Sequence, residues 1–455
     1  MLGTWFAVAA ATAAAATATN QTAIIQISDR HIVNSLPAGF ASFTLDFHPS
    51  SQGSVWGANA SILEIDLASP GLLGVVTALA PAVLRLGGSE AGENVTYVGF
   101  PGFDAPCPSG YYYCLTRPRW AAILAFAART GVRLMLDLNL IGPGTADDWP
   151  AALSQIDALF SYTAQQPPRL RPFAFELGRM TRQGGVAPAA AARVAAVGAL
   201  LASRWPDEGQ RPLLVGPSVH IQPDWIVDFV LALPAPLPLD VFTYHMYEGY
   251  GKAPRIASQT AAAWASGGPT GACTTFESSL WYFDHLAHAA STPGGGHLAV
   301  ARQTLAGGNY SLVDSNRGYI AHSDYFVARL RRRVRADVSV SSQLEPHHAL
   351  RSFAACDPSG RLVVGVANAG GEAIATALQL GQHGAPLAGG AEAWVRLNGQ
   401  PLSSVGGEVP ELPPVTLPAP AGAFSAPPFS VAFLRYAAVL PEACGRDGGG
   451  TLAAA

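Results

Sequence analysis

Apolar residues along the chain fall into two textures. From about residue 37 to 337, short apolar runs alternate with longer stretches of helical periodicity. Residues 43–46, 82–86, 133–138, 173–177, 212–216 and 240–246 read as buried strands, with two more near 256–262 and at 298–305. Residues 61–79, 120–130, 151–165, 187–203, 225–233, 278–290 and 325–335 read as helices between them. Eight strand–helix units in sequence predict a closed (β/α)8 barrel over 37–337 rather than an open sheet. The sixth unit is short of chain. Only eight residues, Glu248 to Arg255, separate two strands that must run parallel, and such a crossover needs roughly a dozen or more. From about 338 the pattern changes to short alternating strands, 362–367, 393–397 and 431–436, divided by Pro/Gly turns. That predicts a β-sandwich from 338–440, joined by the early strand in 22–35. The Gly/Ala-rich tail, 445–455, is expected to be disordered.

Composition changes the picture in three places. Only 13% of the 455 residues are charged and the net charge is −4, so nothing argues for a nucleic-acid partner and none is expected. Residues 1–19 form an uncharged, Ala-rich apolar leader of the kind cleaved from secreted proteins, and no later run is long enough to span a bilayer. Sequons at Asn20, Asn59, Asn94 and Asn309 are compatible with a glycoprotein. The expectation is therefore an extracellular chain without a transmembrane segment, with peripheral membrane association left open. Five cysteines make an odd set, within which Cys107 and Cys114 are close enough to bridge a loop. No metal-ligand spacing, phosphate loop or Ser/His/Asp arrangement is present, so no cofactor or metal is expected.

The segment Arg171-Pro-Phe-Ala-Phe-Glu-Leu-Gly-Arg-Met180 is the one around which candidate chemistry gathers. A buried strand breaks at Gly178, and in a parallel barrel the turns leaving the C-terminal strand ends build the site. Ordered stretches across 37–340 share a further likeness: Phe43-Thr-Leu-Asp46, Leu84-Arg-Leu-Gly-Gly-Ser89, Phe175-Glu-Leu-Gly178, His245-Met-Tyr247, Ser279-Leu-Trp-Tyr-Phe-Asp284 and Arg302-Gln-Thr-Leu-Ala-Gly-Gly-Asn-Tyr310. As an ordered set they resemble the heparanase-like family of retaining β-glucuronidases, in particular its plant-type branch. The resemblance implies a barrel with an appended β-sandwich, secretion or delivery to a lysosome or vacuole, and cleavage of polysaccharide or proteoglycan glycans that contain glucuronic acid.

A retaining glycosidase needs two carboxyl groups about 5–5.5 Å apart, one acid/base and one nucleophile. The resemblance puts the acid/base at position 180 and the nucleophile at position 259, where this chain carries Met180 and Gln259. It places His245 and Tyr247 along the sugar, with Gln303, Gly308 and Tyr310 beside it. Arg179 either neutralises a uronate or fills the hole left by the acid. Asn139, at the end of the third strand, joins the substrate set. Glu176 lies about 13 Å down the strand from position 180. It therefore reads as an acceptor holding strand ends before it reads as a catalyst, and Arg85 is expected to pair with a carboxylate beneath the site. The arginines from Arg329 to Arg335 read as the exposed face of the last barrel helix, ahead of a polyanion site. The functional expectation is a glycoside hydrolase of this kind, impaired as written; the alternative is an inactive, secreted carbohydrate-binding pseudoenzyme. A chain that fails to fold stably, for want of a closing helix, is the third.

Overall fold

A computed structural model describes residues 22–444 apart from 51–56, 104–105, 143–147, 179–185, 221, 247–274, 294–295, 309, 346–347, 382–384, 388–389, 398–411, 419–421 and 440–443. The chain enters through β1 (Ala23–Ser35), then lays down β2 (Ala41–Leu45), β3 (Val83–Leu86), β4 (Arg133–Leu138), β5 (Ala174–Leu177), β6 (Leu213–His220), β7 (Val241–His245) and β8 (Val300–Arg302). These last seven form one parallel sheet in the order β8-β2-β3-β4-β5-β6-β7. The strand expected near 256–262, between β7 and β8, lies outside the described residues.

Helices α1 (Pro70–Leu79), α2 (Arg117–Thr130), α3 (Trp149–Ala164), α4 (Ala187–Arg204), α5 (Pro223–Ala232), α6 (Phe276–Ser291) and α7 (Ser323–Val334) pack outside the sheet. The helix expected over 61–79 begins only at Pro70. A proline fits the first helical turn but not the interior, and the residues before it form turns. Strand alternation divides the layers. Leu84, Leu136, Phe175 and Leu214 face outward into the core shared with the helices, whereas Val83, Met135, Ala174 and Val215 fill the barrel interior. The outward face of β7 is the exception. Phe242, Tyr244 and Met246 are 43%, 45% and 40% exposed. The crossover that follows β7 in the sequence, 248–255, lies outside the described residues.

The second unit is a sheet of β1, β9 (Val338–Leu344), β10 (Leu350–Cys356), β11 (Arg361–Asn368), β12 (Ile374–Leu380), β13 (Ala391–Leu397) and β14 (Ser430–Val439), with short strands at its edges. Its order is β12-β1-β9-β10-β11-β14-β13, antiparallel except for β1 on β12. Ile25, Leu378, Leu362, Val364, Ala393 and Leu434 share one core, so the sheet folds over on itself as a sandwich. Cys356 is bridged to Cys444, and Cys107 to Cys114.

The two units share apolar contacts. Phe283 of α6 meets Phe353 of β10 and Phe433 of β14 at centroid distances of 5.6 and 5.7 Å. The arginines of α7 and its C-terminal cap have partners here, one of them buried. Arg331 is buried 4.4 Å from the Phe40 ring, Arg332 donates to the Ala80 carbonyl at 2.9 Å, Arg333 lies 5.8 Å from Trp394, and Arg335 pairs with Asp337. The solvated-face expectation fails at Arg331, which is buried, and holds at Arg333 and Arg335, which are exposed. An Arg stem buries apolar area while its head finds a carbonyl, ring or carboxylate.

Candidate active site

Two residues above the apolar plug of the barrel interior, the same alternation brings in charge. The Arg85 guanidinium donates from Nε to Glu176 at 2.5 Å, and from Nη2 to Asp137 and to the Ser218 hydroxyl, each at 3.1 Å. All four groups are buried. One guanidinium thus holds two carboxylates from adjacent strands in a dry interior, where an unpaired ion would cost several kcal/mol. Glu176 is a partner of Arg85, not a free acid beside the sugar.

The glycines in this part of the chain make room for that packing. A Cβ at Gly87 would fall 2.4 Å from the Arg85 guanidinium, and one at Gly88, whose φ is +117°, would fall 2.5 Å from an Asp46 carboxylate oxygen. Gly178 closes β5 where a Cβ would meet Gly92 Cα and the Leu138 carbonyl, both at 2.6 Å. Leu84-Arg-Leu-Gly-Gly and Glu176-Leu-Gly are therefore packing requirements of one polar layer.

Ser218 extends the layer across the barrel. It stands in β6 with φ +54°, where the register with β7 slips between Pro217 and Val219. Its N–H donates to Thr243 Oγ1 at 3.1 Å, and its hydroxyl lies 3.0 Å from His245 Nε2. Glu176 and His245 are thereby brought into one connected network, Glu176–Arg85–Ser218–His245. Ser218 is missing from the sequence-based set because periodicity ends that strand at Gly216, before a proline; the structure carries the strand on to His220.

On the opposite side of the mouth, Asp46 Oδ1 accepts the N–H groups of Phe47 and His48 at 2.7 and 3.1 Å. Burial, and then the like charge of Glu90 to which it is hydrogen-bonded, hold the Asp46 carboxyl well above the usual carboxylate range. Tyr113 faces both acids, and partial burial together with their charges raises its phenol. This acid pair was not legible: Asp46 ends a recognisable strand, but nothing in the text of the chain sets Glu90 against it.

Asn139 is corrected. Its Nδ2 donates to the Val95 and Gly142 carbonyls at 3.0 and 2.9 Å, and its Oδ1 accepts from the N–H groups of Ile141 and Gly142. Two donors and two acceptor sites are all an amide has. The side chain closes a loop and has nothing left for a sugar. Gln303, Gly308 and Tyr310 lie on the chain leaving β8, tied to β2 where Leu305 N–H and the Thr304 hydroxyl both reach the Thr44 carbonyl. Gly307 and Gly308 take φ of +86° and +68°, the left-handed region that favours glycine. Tyr310 is buried, its ring 5.7 Å from the Arg302 guanidinium, which in turn pairs with Asp324 at 2.7 Å. Met180, Arg179, Tyr247 and Gln259 lie outside the described residues. Among the described residues no group of three or more His, Cys, Asp or Glu side chains could hold a metal ion, and no helix is long and apolar enough to cross a membrane.

Comparison with known proteins agrees with this architecture. Solved structures of a GH51 arabinofuranosidase from Xanthomonas axonopodis pv. citri and a GH30 endoxylanase from Clostridium papyrosolvens C71 superpose with TM-scores of 0.62 and 0.58. Each covers 91% of this chain and 99% or 100% of the other, at 12% and 11% identity, a likeness of fold. Baicalin-beta-D-glucuronidase of Scutellaria baicalensis is 24% identical over 409 residues, covering 74% of this chain and 75% of that protein. Heparanase-like protein 3 of Arabidopsis thaliana is 23% identical over 396 residues, covering 74% and 72%. The family model for the glycosyl hydrolase family 79 N-terminal domain matches residues 22–262, more than half of the chain. With that match spanning the barrel strands that carry Asp46, Arg85, Glu176, Ser218 and His245, the chain belongs to the heparanase-like glycosyl hydrolase family 79.

Proposed function

We propose that the chain is a secreted protein that recognises glucuronic-acid-containing glycans, with the hydrolytic step of its family impaired. The observation that carries this reading is the text at the two positions where the resemblance implies glutamate, Met180 and Gln259. A thioether cannot protonate a leaving group, and an amide does not form the glycosyl ester through which retention proceeds. Recognition is a separate matter. The scaffold keeps the Arg85 cluster beneath the mouth, His245 at the end of β7, and the glycine turn leaving β8. One relative is a glucuronidase by name, which supports a β-glucuronide as the ligand class. The leader, the sequons and the bridges Cys107–Cys114 and Cys356–Cys444 suit an oxidising, extracellular compartment.

The test separates binding from turnover. Calorimetric titration with methyl β-D-glucuronide and with methyl β-D-glucoside is expected to give binding of the first in preference to the second. Equal or absent binding of both, by a folded protein, removes the glucuronide reading.

A further inference from the structure

We propose that Ser218 is a positioning residue that fixes His245 as the tautomer with hydrogen on Nδ1, with Nε2 the acceptor of the serine hydroxyl. The argument is a count of hydrogens in a buried place. Arg85 has no acceptor, so along the 3.1 Å contact from its Nη2 to Ser218 Oγ the arginine donates and the serine accepts. The serine hydroxyl has one hydrogen of its own. Apart from Arg85, the partner its oxygen has among the described residues is His245 Nε2, at 3.0 Å.

Ser218 is 1% exposed, so water does not serve as a substitute acceptor. If His245 carried its hydrogen on Nε2, the serine oxygen would receive two donors and its own hydrogen would have no acceptor. A buried hydroxyl stripped of its partner biases the equilibrium by roughly tenfold or more. The hydrogen therefore runs from Ser218 to Nε2, and Nδ1 carries the ring hydrogen. The polarity is set by Arg85, which Glu176 and Asp137 hold in place from the other side.

The position of Ser218 suits this duty. Its φ of +54° and the register slip beside it lift the hydroxyl out of the regular alternation of β6, to the level of His245 on the neighbouring strand. The consequence for ligand choice rests on the glycan reading above: a group meeting the Nδ1–H edge is an acceptor, such as a carboxylate or hydroxyl oxygen of a sugar. The tautomer itself stands or falls without that reading.

The experiment uses the full chain labelled with 15N at histidine and long-range 1H–15N correlation spectra, with the His245 signals assigned by their loss in His245→Gln. The wild-type protein is expected to show an acceptor-type Nε2 and a protonated Nδ1. Ser218→Gly removes the hydroxyl while suiting the positive φ, and is expected to shift the tautomer ratio toward Nε2–H by about tenfold. Ser218→Asp has no hydrogen to give, and is expected to invert the assignment to Nε2–H. Asp, like Asn, tolerates the left-handed region. A wild-type spectrum with hydrogen on Nε2, or a ratio unchanged in both variants, overturns the proposal. Loss of glucuronide binding with the tautomer as expected counts against the glycan reading alone.

Discussion

Arg85 is the residue on which the largest local penalty depends. Its guanidinium answers two carboxylates, Glu176 and Asp137, both almost wholly removed from water. In Arg85→Met those charges stay behind without a counter-ion, and loss of one partner of a buried pair costs about 3–5 kcal/mol. Urea denaturation is expected to show a loss of that size; a loss below about 1 kcal/mol would mean the cluster is far wetter than the geometry says. Asp46 gives a prediction with a sign. Its carboxyl titrates well above the usual range, first because it is buried and then because Glu90 faces it, with Tyr113 and His48 as the other titratable neighbours. The folded state keeps a proton that the unfolded chain releases near pH 4. The stability this contributes is full below that value and is lost as pH rises through the higher folded value. Glu90→Gln removes the like charge, so its gain in Tm over wild type is expected to be larger at about pH 7.5 than at about pH 4. An equal gain at both would show that Glu90 does not act through Asp46.

At the scale of elements, the barrel was legible wherever a strand is sealed on both faces. Strands β3, β4 and β5 read as buried runs, each interrupted by an inward charge (Arg85, Asp137 or Glu176), because one face packs on helices and the other on the plug formed by Val83, Met135 and Ala174. Legibility failed where local and tertiary signals diverge. Proline set the start of α1 against an apolar pattern that begins earlier. A Gly-Pro pair hid the second half of β6, and Arg331 and Arg332 read as part of a solvated face although a ring and a carbonyl take them inward. The sixth crossover reads as a deficit of residues in the sequence and lies outside the described residues, next to a β7 whose outer face is exposed. That face makes a paired prediction. Phe175, fully buried against Phe160 at a centroid distance of 4.5 Å, should cost about 3–5 kcal/mol as Phe175→Ala. Phe242→Ala on the uncovered face should cost about 1 kcal/mol or less. Comparable losses would mean that Phe242 is covered in solution.

At the scale of the whole molecule, the barrel and the sandwich share apolar contacts at Phe283, Phe353 and Phe433, and the chain carries the barrel of family 79. The candidate site was half legible. Arg85, Glu176 and His245 could be named from strand ends and motifs. Ser218 and Glu90 could not, because each matters through a neighbour distant in sequence. The central claim is that Met180 and Gln259 withhold the two carboxyl groups of double displacement while the cleft survives. The measurement that tests it most directly is pre-steady-state hydrolysis of 4-nitrophenyl β-D-glucuronide by the wild-type chain beside Met180→Glu/Gln259→Glu. The account predicts no burst and no turnover above buffer for the wild type, with measurable release in the double variant. A burst stoichiometric with wild-type protein would contradict it.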